Sequence, residues 1–312
     1  MEFTGGMTLI GGLTVTQYIP PPSNKAIVGY GSLNENNGLS MTNLVSNTGV
    51  VSSDTTGVGT ARFSLAAAGY GTDKAIFGYG QNTGSPGNAG YSLTNLVTNT
   101  GVVGNDVAGV GTACYRLSAA TYGTDKAIFG YSTAGTKTNK VSNTGVVAAD
   151  TTGVGTSKNY STAAGYGTDK AIFGFGLSTA TTNLVSNTGV VSSDQAAVTG
   201  TARGAAAAAT YGTDKAIFGY GSTNGSSDNV VSITNLVSNT GVVASNTTGV
   251  GTARQMLAAA GYGVDTAIFG YGYSGPNYSI TNQVSNTGVV ATDTTGVGTG
   301  RNNLAASTYG LS

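Results

Sequence analysis

The chain has 312 residues, of which thirteen are basic and thirteen acidic, with 51 glycines, five prolines, one cysteine and neither histidine nor tryptophan. Such sparse, balanced charge excludes the basic footprint of a nucleic-acid binder and the charge-rich makeup of a disordered chain. Without histidine the commonest general base and metal ligand are both missing, and the single Cys114 excludes an internal disulfide.

Residues 1–24 stand outside the pattern that fills the rest of the chain. They lack a basic start followed by an apolar core, so no secretory signal peptide is read, and no run of 18 apolar residues predicts a membrane span. Met7-Thr8-Leu9-Ile10 and Leu13-Thr14-Val15-Thr16 predict one or two short strands, and Pro20-Pro21-Pro22 a stiff spacer. The segment reads as an arm that docks on a protein partner or covers part of the domain.

From Lys25 the chain repeats itself six times. KAIFGYG or a variant begins at Lys25, Lys74, Lys126, Lys170, Lys215 and Thr266, at intervals of 49, 52, 44, 45 and 51 residues. NLVSNTGVV follows from Asn43, Asn95, Asn139, Asn183, Asn235 and Asn282, and GTARxxLAAAGYG from Gly59, Gly111, Gly155, Gly200, Gly251 and Gly298. Each unit predicts four strands. Leu65–Tyr70 is alanine-rich, and Gly71-Thr72-Asp73-Lys74 turns into Ala75–Tyr79. Asn43–Ser46 and the Asn47-Thr48-Gly49 turn then lead to a fourth strand from Val50. Alanines such as Ala66–Ala68 suit a crowded axis. Ala205–Ala209 alone would read as a helix, but its flanking glycines and its equivalents place it with the strands. The fold expected for residues 25–312 is an all-β, six-bladed β-propeller of four-stranded antiparallel blades. The first copy lacks an alanine-rich strand and the last copy ends on one, Leu304–Tyr309. The C-terminal strand is therefore expected to complete the first blade and close the ring.

The order of strand, turn, KAIFGYG, variable loop, NLVSNTGVV and GTAR resembles the kelch repeat family over residues 25–310. Gly78 and Gly80 stand near that family's glycine pair, split by Tyr79, and valine replaces its tryptophan near strand four. The resemblance implies a propeller. The near-identical repeats, rich in Thr, Asn, Ser and Gly, are also similar in composition to phage- and virus-associated propeller proteins of the tail-fibre or capsid-decoration kind. That likeness implies a virion or an extracellular surface as the setting.

Most charges occupy repeated positions. Turn carboxylates Asp73, Asp125, Asp169, Asp214 and Asp265 precede strand two, and loop carboxylates Asp54, Asp106, Asp150, Asp194 and Asp293 follow strand four, with Asn246 once. Eight or nine residues later come Arg62, Lys158, Arg203, Arg254 and Arg301. The second copy has Cys114 there, with Arg116 two residues on as a stand-in on the same strand face. Each loop Asp is expected to pair with a basic residue of its own loop or of the neighbouring blade. A ring of cation-binding carboxylates is the alternative, but one carboxylate per unit falls short of a calcium site. No cofactor or metal is expected. Cys114 has no histidine to activate it. The Gly57-Val58-Gly59-Thr60 string lacks a phosphate loop's lysine and helix.

The copies differ most in the loops between strands two and three, which hold Glu35, Asn37, Tyr91, Asp228, Tyr273, Asn277 and Tyr278. Tyr and Asn suit sugar or protein contacts, and loops on a rigid scaffold commonly carry binding. The sequence-based expectation is a non-enzymatic structural or adhesion module, as in a decoration, tail or fibre protein. Its alternatives are a lectin-like or kelch-like propeller that binds glycan or protein through these loops, and an enzyme on the same scaffold.

Overall fold

A computed structural model describes residues 24–34, 37–82, 90–177, 179–195 and 200–311. The arm and Glu35 lie outside the described residues, except that Asn24 opens the first strand. The described chain forms six three-stranded antiparallel sheets, an arrangement consistent with a six-bladed propeller. β1 (Asn24–Gly29) and β2 (Thr42–Val45) join β18 (Ala305–Leu311), the last strand of the chain. The other sheets are contiguous in sequence. They are β3 (Ala66–Tyr70), β4 (Lys74–Gly78) and β5 (Thr94–Val97), then β6 (Ser118–Tyr122), β7 (Lys126–Ser132) and β8 (Gly135–Val141). β9 (Thr162–Tyr166), β10 (Lys170–Gly176) and β11 (Thr179–Val185) follow. β12 (Ala207–Tyr211), β13 (Lys215–Gly219) and β14 (Thr234–Val237), then β15 (Ala258–Tyr262), β16 (Thr266–Gly270) and β17 (Thr281–Val284), complete the set. Most of the Ala205–Ala209 run thus enters a strand, not a helix.

The register repeats: Ala68 faces Ile76, and Phe77 faces Asn95. At the seam, Lys25 faces Tyr309 and Ile27 faces Ser307. The predicted fourth strand is corrected. The outer segment touches its neighbour only at isolated bridges, such as Val45 with Val51 and Thr42 with Thr55. Between these bridges two residues of β2 thus oppose three on the outer segment, so the ladder carries an extra residue and breaks as at a bulge. Asn43 fills the gap, its Nδ2 donating to Ser52 O and to Asp54 Oδ1.

β3, β6, β9, β12, β15 and β18 each pack on the next, and β18 packs on β3, so these strands surround one axis. A belt of hydrogen bonds circles one face. The amides of Gly71, Gly123, Gly167, Gly212, Gly263 and Gly310 donate to the carbonyls of Asp125, Asp169, Asp214, Asp265, Asn24 and Asp73, at 2.7 to 2.8 Å. Beside it, the hydroxyls of Thr121, Thr210 and Thr308 donate to Gly69, Gly165 and Gly261 carbonyls at 2.9 Å. A Cβ on Gly69 would lie 3.1 Å from the Thr121 hydroxyl, so glycine and threonine alternate where six Cβ atoms would crowd.

Neighbouring sheets meet through aromatic pairs: Tyr30–Phe77, Tyr79–Phe129, Tyr131–Phe173, Phe175–Phe218 and Tyr220–Phe269, with centroids 5.0 to 5.3 Å apart. Each phenylalanine covers a glycine of the preceding sheet, as Phe269 covers Gly219. The seam lacks this pair because Val28 stands where the other sheets have phenylalanine, beside a small cavity of about 10 Å³ bounded by Gly270 and Tyr271. Val28→Phe is expected to stabilise the protein by about 1 kcal/mol by restoring the pair with Tyr271. Differential scanning calorimetry should show a raised Tm; a lowered Tm would mean that the seam packs differently from the other five interfaces.

Candidate functional site

On the face opposite the glycine belt, the segment entering each first strand is clamped to the outer edge of its own sheet. Asp54 accepts from Thr299 N at 3.0 Å and from its hydroxyl at 2.6 Å, and lies 3.9 Å from Arg301. Arg301 is fully buried. It donates to Tyr30 O and Asn43 Oδ1 and stacks over Tyr271. Asp106 with Arg62, Asp194 with Lys158 and Asp293 with Arg254 repeat the arrangement. Each carboxylate thus pairs with the base of the preceding linker; Asp54 contacts Arg301, not Arg62. Burial would raise the Asp194 carboxyl, but hydrogen bonds from Thr156, Asn183 and Lys158 outweigh it and hold the pKa at about 2.

Two sheets depart from the pattern. Asn246 replaces the carboxylate opposite Arg203, and burial pushes that guanidinium's pKa down to about 10. Where Cys114 replaces the arginine, Lys137 reaches Asp150 at 3.2 Å from β8. The expectation that Arg116 stands in for the missing base is therefore corrected: Arg116 has a φ of 59°, which turns it out of the strand alternation toward the axis.

Arg116 belongs to a second ring. Between each clamp position and its strand lie three residues, and the second differs in every copy: Ser64, Arg116, Tyr160, Ala205, Met256 and Asn303. Their backbones are alike, with φ between 53° and 59°. Each amide donates to the preceding member's carbonyl: Arg116 to Ser64 at 2.8 Å, Tyr160 to Arg116 at 3.3 Å, Ala205 to Tyr160 at 3.1 Å. Met256 to Ala205 at 2.8 Å, Asn303 to Met256 at 2.9 Å and Ser64 to Asn303 at 2.8 Å close the circle. The left-handed conformation costs an L residue about 1–2 kcal/mol that glycine avoids. A chain with 51 glycines places none at these six positions.

The six side chains and the residue after each line a cavity of about 70 Å³ on the axis, with a further space of about 90 Å³ among the alanines behind it. Its polar groups are Ser64, whose hydroxyl donates to Asn303 Oδ1 at 3.1 Å, Asn303 itself, Tyr160, Arg116 and Ser161, whose hydroxyl lies 2.8 Å from that of Ser118 behind it. The Arg116 Cζ stands 4.5 Å from the Tyr160 ring centroid and 5.3 Å from that of Tyr115. Its Nε is buried with no hydrogen-bond partner among the described residues.

The variable loops lie on this same face. Ser32 bridges Asn302, Gln81 bridges Phe63, Tyr91 bridges Cys114, and Tyr273 bridges Gln255. Asn277 Nδ2 donates to Leu33 O at 2.7 Å, and its Oδ1 accepts from Asn302 at 2.7 Å, stitching two loops across the seam. Tyr278 accepts from Ser274, Asp228 sits exposed in a 3₁₀ turn (Ser227–Asn229), and Asn37 is exposed. Most of the loop residues singled out from sequence thus serve the scaffold. Of the residues they lean on, Phe63, Gln255 and Asn302 each directly precede a residue that lines the cavity.

No family model and no curated protein matches the chain. Among solved structures it is similar to a novel fungal alcohol oxidase with catalytic diversity among the AA5 family, in complex with copper. The TM-score is 0.56 at 11% identity, over 91% of this chain and 66% of that one. This finding corrects the expectation of a non-enzymatic chain, and with it the virion, tail-fibre and decoration reading and its glycan- or protein-binding alternative: the shared fold is carried by an enzyme. The virion reading rested on low charge and repetition, which belong to the scaffold and carry no information about chemistry grafted onto it, and the non-enzymatic reading on the absence of histidine. At 11% identity the likeness shows the fold and assigns no activity.

Proposed function

We propose that the chain is a ring-closed six-bladed β-propeller that binds a small molecule, as ligand or substrate, in the axial mouth formed by Ser64, Arg116, Tyr160, Ala205, Met256 and Asn303. The observation that carries this is the contrast between repeated backbone and unrepeated side chains. Six Tyr30-type wedge positions share the positive φ, and five keep tyrosine while the sixth is Phe175, because they fill one shared space. The six ring positions share it and keep none. Strain held in place by surrounding structure, at a concave site, points to function. Copper, which the fungal oxidase holds, does not fit these residues. The chain has no histidine, and no group of three cysteine, aspartate or glutamate residues comes together among the described residues. Burial pushes the Cys114 thiol up to about 11. A copper(II) site wants imidazole and other N or O donors, so no step is derived through the metal.

Methyl NMR tests the site. With the methionine methyls labelled, a library of small polar fragments should yield ligands that shift Met256, in the ring, and leave Met41, in the loop entering β2, in place. Ligands that bind without moving Met256 would remove the axial reading.

A further inference from the structure

Resting on that reading, we propose that the axial mouth takes a small carboxylate, held edge-on by Arg116. The structure engages nearly all of its other charged side chains. Five carboxylates are fixed in the clamps, and Asp73, Asp125, Asp169 and Asp214 pair with the adjacent lysines at 2.7 to 2.8 Å. Among the described residues, by contrast, Arg116 is the one charged residue lining the cavity, and tyrosine rings lie against its guanidinium. Stacking occupies the faces of a guanidinium and leaves its in-plane N–H edge. That edge includes the buried Nε, a donor without an acceptor, which is unfavourable until an acceptor arrives. Two oxygens side by side match Nε and the adjacent Nη, the geometry of a carboxylate. One guanidinium with no second cation among the described lining residues suits a monoanion better than a dianionic phosphate. The apolar part of the acid would rest on Met256 and on Leu65, Leu117 and Leu257 behind the ring.

The test uses the full chain labelled with ¹⁵N in arginine and ¹³C in the methionine methyls. Sodium acetate and propionate are titrated against acetamide at constant ionic strength. The expected result is a saturable shift of the Arg116 Nε–Hε signal with the acids and none with the amide. Arg116→Ser, which places at 116 the residue found at ring position 64, should leave thermal unfolding unchanged. It should weaken acid binding, read at the Met256 methyl, at least about tenfold, the loss expected for a charge-assisted pair. If acetamide shifts Met256 as strongly as the acids do, the carboxylate assignment falls and the axial site stands. If the acids bind elsewhere and fragments also leave the ring unmoved, both fall.

Discussion

Deleting residues 305–312 is expected to abolish cooperative unfolding and to make the chain self-associate. These residues hold β18, the first strand of the seam sheet, which pairs with β1 from Lys25–Tyr309 to Gly29–Ala305. β18 also packs on β3 and β15, buries Ala305 and Tyr309, and supplies the Gly310 to Asp73 hydrogen bond of the belt at 2.7 Å. Without it β1 becomes an open apolar edge, Ala26-Ile27-Val28, that invites pairing with another chain. Urea titration should give a broad transition, and light scattering should give multimers. A circular permutant supplies the control. Leu311 joined to Asn24 makes Gly310-Leu311-Asn24-Lys25, the same length as the Gly71-Thr72-Asp73-Lys74 turn, and new termini fit between the exposed Ala108 and Gly109. The permutant should unfold cooperatively near the parent midpoint. A deletion variant that keeps the parent transition would mean that the other five sheets do not lean on the sixth.

The architecture was legible because its determinants are local and repeated. Period-2 strands, Asn-Thr-Gly hairpins and Gly-Thr turns recur at matching offsets, and the one-strand offset of the frame announced the pairing of β18 with β1. The fourth strand was misread because Val50-Val51 looks like a strand start. Val50 instead faces solvent, and Asn43 takes over the bonding that a ladder would supply. Arg116 was misplaced for a related reason. The alternation rule holds only while the backbone is extended, and a φ of 59° reverses it. The signal for the axial ring was present in the sequence: within GTARxxLAAAGYG the second x is Ser, Arg, Tyr, Ala, Met and Asn. Loop length is the more conspicuous difference between copies, yet Asn277 and Tyr273 proved to be stitching. Which variable positions converge on an axis is a property of ring closure, a long-range contact that no local pattern displays. The Cys114 and Lys137 exchange is another such case: the charge lost from one segment returns 23 residues later, on a strand that only the fold brings alongside.

Arg301→Leu is expected to destabilise the protein by about 3–5 kcal/mol, the range for breaking a buried charged contact. The side chain is fully buried, so its loss strands Tyr30 O and the buried Asn43 Oδ1 and removes the stacking on Tyr271. It also leaves Asp54 without its cation at 3.9 Å. The same change at Arg203 should cost about 2 kcal/mol less. Arg203 donates to Tyr220 O and Thr201 O and covers Phe175, but Asn246 supplies no charge opposite it. A buried guanidinium without a carboxylate keeps more of its desolvation penalty, so removing it returns part of what is lost. Asn246→Asp should then stabilise the protein and raise the cost of Arg203→Leu toward that of Arg301→Leu. Urea denaturation of the four-member cycle of Arg203 and Asn246 variants measures that coupling directly. Equal costs at the two arginines, with no coupling between Arg203→Leu and Asn246→Asp, would show that carbonyl contacts and aromatic stacking hold these side chains and that the carboxylate serves only to fasten the linker through Thr299.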